Sequence, residues 1–95
     1  MSRTSTDAMA DLTTFLLELY IPKADCTAVT LGAMRLGFAA AKLSAEGTSV
    51  RMVRTIFVPE DETCFVLIEA ATVEAVRDAA TRASLPVERI VATTP

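Results

Sequence analysis

The stretch from Val50 to Ala70 constrains this chain most. It reads Val-Arg-Met-Val-Arg-Thr-Ile-Phe-Val-Pro-Glu-Asp-Glu-Thr-Cys-Phe-Val-Leu-Ile-Glu-Ala. Val, Ile, Phe and Thr dominate both halves, as suits pleated, packed strands. Pro59-Glu60-Asp61-Glu62 separates them as a tight acidic turn. The run is therefore a hairpin, with strands Thr48–Val58 and Thr63–Ala70. A hairpin of this kind needs partners on its flanks and a layer over at least one face.

The flanks supply both. Thr13–Ile21 alternates Phe15, Leu17, Leu19 and Ile21 onto one face, and Pro22 ends it because proline cannot donate a ladder hydrogen bond. Thr27–Ala45 has helical spacing, with Asp25 or Thr27 as candidate N-cap and Gly47 just past its end. Its stripe Val29, Ala33, Leu36, Ala40 and Leu43 suits a core contact. Leu31, Met34 and Phe38 project nearly opposite, toward either a second subunit or the N-terminal segment. After the hairpin, Thr72 caps a helix over Val73–Ala83, Pro86 bars its continuation, and Val87–Thr93 is a last strand.

The order β-α-β-β-α-β is the split βαβ arrangement of α+β, ferredoxin-like folds. Right-handed crossovers then give a four-stranded antiparallel sheet with both helices on one face and strands one and three central. Residues 1–11 read as a disordered leader and 12–95 as one domain of ordinary small size.

Alternation assigns side chains to the uncovered face. Leu16, Glu18 and Tyr20 point outward from strand one, and Phe65, Leu67 and Glu69 from strand three. A turn opposing Val58 to Thr63 pairs Ile56 with Phe65, Arg54 with Leu67 and Met52 with Glu69. Glu18, Tyr20, Arg54, Phe65 and Glu69 are thus the candidate ligand pocket. Two readings stand side by side. Arg54 neutralises the carboxylates in an interfacial ion-pair cluster, or Glu18 and Glu69 offer oxygen ligands or polar handles to a small molecule.

Composition bears on what covers that face. The chain is 52% hydrophobic with a mean hydropathy of +0.41 over 95 residues, rich for so small a monomer. A second copy is the usual answer, so the expected partner is the chain itself, as a homodimer or higher homo-oligomer. No apolar run approaches the roughly 20 residues of a membrane span. Nine basic and twelve acidic residues give a net charge of −3, which argues against nucleic acid. Cys26 and Cys64 form no Cys-x-x-Cys motif, consistent with a reduced, cytoplasmic protein. There is no His, which removes hydrolase triads and the commonest transition-metal ligand. No catalytic residue and no metal ligand is assigned, and no cofactor is expected beyond a divalent metal held by carboxylates alone.

Several segments resemble a known family. They are Val50-Arg51-x-Val53-Arg54-Thr55-x-Phe57-Val58-Pro59-Glu60-Asp61, Cys64, Glu69-Ala70, Glu74-Ala75-Val76-Arg77 and Leu85-Pro86-x-Glu88-Arg89-Ile90, with Glu18 in strand one. The pattern is similar to small bacterial proteins of the dimeric α/β-barrel superfamily, a domain of unknown function of which some members are described as nickel-binding. The resemblance implies a ferredoxin-like protomer and a dimer. Because this chain has no His, nickel is carried over to no residue. The expected function is a homo-oligomeric binding or accessory protein with a pocket on the open sheet face. The alternatives are a cofactor-free, monooxygenase-like or isomerase-like enzyme in the same cavity, and a metal-responsive protein of the nickel type.

Overall fold

The computed structural model describes residues 12–94. The leader expected over residues 1–11 lies outside the described residues. Strand β1 (Thr13–Tyr20) leads through a short 3-10 turn, Lys23–Asp25, into helix α1 (Thr27–Ala45). Strand β2 (Val50–Val58), a second 3-10 turn at Pro59–Asp61, and strand β3 (Thr63–Ala70) follow. Helix α2 (Val73–Arg82) and strand β4 (Val87–Ala92) complete the ferredoxin-like βαββαβ order. The strands form one antiparallel sheet in the order β2-β3-β1-β4, with β1 and β3 central as expected.

The core lies between the sheet and the two helices. Phe15, Leu17 and Leu19 of β1 and Cys64, Val66, Ile68 and Ala70 of β3 are buried there. They meet Leu36, Ala40 and Leu43 of α1 and Val76, Ala79 and Ala83 from α2 and its end. Burial of these apolar surfaces is the main term favouring the fold. The second stripe of α1 is not covered by the other described residues: Phe38 is 70% exposed, and Leu31 and Met34 about half.

Caps explain where the helices stop. Thr72 accepts a hydrogen bond from the Ala75 amide (3.1 Å) and starts α2 as expected. The start of α1 differs from expectation. Neither Asp25 nor Thr27 caps it; Cys26 holds the N-cap position in a helical conformation, because the preceding 3-10 turn runs straight into the helix. Both helices end in the same motif. Gly47 takes a φ of 100°, its amide reaches Ser44 O (3.1 Å) and the Thr48 amide reaches Leu43 O (2.9 Å). At the end of α2 the same left-handed position is filled by Ser84, φ 57°.

Each edge strand carries one extra residue. In β2, Met52 pairs with Ile68 and Arg54 with Leu67, so Val53 has no partner. In β4, Arg89 pairs with Glu18 and Val87 with Leu19, so Glu88 has none. Bulges of this kind re-aim side chains and are frequent on edges. The hairpin turn itself opposes Val58 to Thr63, as its length requires, and Ile56 pairs with Phe65 and Arg54 with Leu67. The expected pairing of Met52 with Glu69 is not made. The bulge turns Met52 toward the helices and sets Arg51 opposite Glu69.

Candidate open-face site

The sheet face away from the helices is built in rows. One row runs Ile56, Phe65, Glu18, Arg89 and the next Arg54, Leu67, Leu16, Val91. A third joins Arg51, Glu69 and Thr14. Directly opposed residues share a face, so these side chains stand on one surface. Among the described residues no helix covers it, and its apolar members are partly exposed, Ile56 the most at 40%.

The register decides which of the five candidate residues meet. Glu18 and Phe65 are direct cross-strand neighbours. Glu69 lies opposite Thr14, four residues along β1 from Glu18, so the two glutamates are separated by about 13 Å of strand. Arg54 is bonded to neither. Arg51 donates from Nε (3.1 Å) and Nη2 (2.7 Å) to Glu69 Oε1. Arg89 Nε lies 3.8 Å from Glu18 Oε1. Tyr20 stands at the far end of β1, 53% exposed, with its hydroxyl 3.5 Å from Glu62 Oε1. The other Glu62 oxygen accepts from the Lys23 amide (2.8 Å), which ties the two 3-10 turns together.

Arg51 and Arg89 are therefore the partners that alternation alone passes over. No local sequence feature marks them; the fold shows them by an irregular spacing. Arg51 and Arg54 share a face although three residues apart, and so do Val87 and Ile90 on the opposite face of β4. Same-face spacings of three within a strand mark a bulge. Arg54 is left without an ion pair among the described residues. A shallow groove of about 440 Å³ opens at the end of the sheet marked by Thr14, Leu67 and Thr93; Arg54 does not line it.

A family model described as nickel responsive protein SCO4226-like matches residues 15–92. The chain belongs to this family. No match to a curated protein or to a solved structure was found. The SCO4226-like assignment agrees with the resemblance carried by the hairpin and by Leu85–Ile90, and it spans every strand and helix of the sheet layer except the first two residues of β1.

The family description raises nickel, and the donor set of this SCO4226-like chain can be tested against it. Nickel favours imidazole and thiolate donors gathered at one point. The chain contains no His. Cys26 is exposed at the start of α1, whereas Cys64 is buried in β3. Among the described residues no three His, Cys, Asp or Glu side chains come together to hold a metal. The residues present do not fit a resident nickel ion. No helix among the described residues is long and apolar enough to cross a membrane.

Proposed function

We propose that this SCO4226-like protein is a small homo-oligomeric binding or accessory protein. Two copies pair through their open sheet faces and enclose a small-molecule pocket between them. The observation that carries this reading is the uncovered apolar surface of Leu16, Ile56, Phe65, Leu67 and Val91. Apolar surface of that extent is ordinarily withdrawn from water by association. The candidate pocket residues Glu18, Tyr20, Arg54, Phe65 and Glu69 all belong to that face or its rim, and the arginine partners of both glutamates lower the cost of burying them.

Light scattering behind size exclusion at micromolar concentration tests the reading. The expected mass is twice that of the chain, and Phe65→Glu should return a folded monomer by circular dichroism. A wild-type monomer would sink the proposal.

The family description favours one second reading, a metal-responsive binding protein. For it, donors would have to be assembled between copies. Calorimetry with divalent nickel and cobalt decides: a saturable heat supports this reading, and its absence leaves the small-molecule pocket.

A further inference from the structure

The open face differs in charge from the molecule that bears it. The chain carries a net −3. The charged residues that the register sets on this face, among those described, are three arginines, Arg51, Arg54 and Arg89, against two glutamates, Glu18 and Glu69. Both glutamates already face an arginine. Arg54 is the surplus charge. It sits directly opposite Leu67, one row from Phe65, in the most apolar part of the face. If this face closes on a second copy, each protomer brings one uncompensated guanidinium into a shared, partly dry space. An unpaired buried charge is strongly unfavourable. Something negative has to accompany it, and neither Glu18 nor Glu69, the carboxylates that the register sets on this face, is free.

We propose that Arg54 binds a small organic anion, a monocarboxylate whose apolar body rests on Leu67 and Phe65. This rests on the open-face reading above and gives its ligand a charge and a shape. The guanidinium fork matches a carboxylate with two parallel hydrogen bonds, and such bonds strengthen as water leaves. The apolar row beside it favours a hydrocarbon or aromatic body over a bare inorganic ion. The same balance of charge disfavours a divalent cation on this face.

Benzoate is a suitable probe, with inorganic phosphate and nickel chloride as comparators. Chemical-shift titration of the labelled full chain is expected to show saturable changes at Arg54, Phe65 and Leu67 with benzoate and much weaker ones with phosphate. Arg54→Gln should lower benzoate affinity at least about tenfold, the loss of one charge-assisted contact. Arg77→Gln, on the exposed side of α2, should bind like wild type. Equal binding by Arg54→Gln overturns the assignment, as do shifts that map elsewhere or phosphate binding as tightly as benzoate. Light scattering on the same samples separates this proposal from the one beneath it. A dimer that ignores benzoate at millimolar concentration refutes the anion site and leaves the interface standing. A monomer that binds benzoate through Arg54 keeps the site and refutes the interface. A monomer that does not bind refutes both.

Discussion

Arg51 and Glu69 meet because Val53 does not pair. Arg51 Nε and Nη2 donate to one Glu69 oxygen at 3.1 and 2.7 Å, and that contact exists only because the strand register slips between Met52 and Arg54. Without the slip, Arg51 would face the core opposite Ala70. The energy of the pair itself is small. Arg51 is 58% exposed in the single chain, and exposed ion pairs couple weakly. A double-mutant cycle with Arg51→Ala and Glu69→Ala, read by denaturant unfolding, is expected to give a coupling below about 1 kcal/mol. A larger value would mean that the pair is desolvated, as in a closed interface.

Deletion of Val53 should be tolerated. Met52 and Arg54 already pair with the consecutive residues Ile68 and Leu67, so removing the unpaired residue leaves every partner in place. The expected cost is lost twist and a flatter edge rather than a refolded strand. Retention of the Met52–Ile68 and Arg51–Glu69 proximities by nuclear Overhauser contacts checks this. A rephased β2, with Met52 opposite Glu69, would contradict it.

Ser84 holds a left-handed conformation, φ 57°, at the position where α1 uses Gly47. A side chain there costs roughly 1–2 kcal/mol relative to glycine's freedom, part of which glycine returns as unfolded-state entropy. Ser84→Gly is expected to stabilise the protein by about 0.5–1 kcal/mol in thermal unfolding. Glu62→Gly should not do so, although Glu62 is also left-handed at 49°, because its carboxylate accepts from the Lys23 amide.

The two thiols should react very differently. Cys26 is exposed, whereas Cys64 is only 3% exposed and burial raises its pKa above the ordinary 9.0. The thiolate is the reactive form, so Cys64 is shielded twice, by access and by protonation. A thiol-specific reagent near neutral pH is expected to label one equivalent quickly and the second only at the rate of unfolding. Because the folded pKa lies above the unfolded one, the Cys64 contribution to stability is present at neutral pH and is lost as pH rises through the folded value. Rapid labelling of both thiols in the folded protein would be inconsistent with this core.

Acid pH should find the junction of α1 and α2. Hydrogen bonds from Arg82 (3.0 and 3.2 Å) lead the effects that hold the Glu46 carboxyl below its ordinary 4.5. A depressed folded pKa contributes stability above the unfolded value and loses it as pH falls through the folded one. In Arg82→Gln, the Glu46 titration followed by carbon-detected NMR is expected to move back up toward 4.5. An unchanged midpoint would rule out this hydrogen-bond cause.

Much of this protein was legible from its residues. Period-two alternation in Thr13–Tyr20 and Thr63–Ala70 picks out the buried faces of the central strands, because both have a helix layer on one side only. The length of the Pro59–Glu62 turn sets the pairing from Val58 down to Arg54. Thr72, Gly47 and Pro86 mark helix ends by local backbone chemistry. These features are determined by neighbours within a few positions, which a sequence displays directly.

What only the tertiary structure decided was the phase of the edge strands, and with it the charge pattern of the open face. Val53 and Glu88 look like any other strand residues; that they go unpaired follows from twist and packing summed over the whole sheet. Each shifts its strand by one position, and one position exchanges the two faces. The slip in β2 brought Arg51 to Glu69 and left Arg54 as the surplus charge of the face, while the β1–β4 and β1–β3 registers set Arg89 opposite Glu18 and kept the two glutamates four positions apart. Sequence patterning determined that the face is apolar. Long-range strand registration decided which charges stand on it.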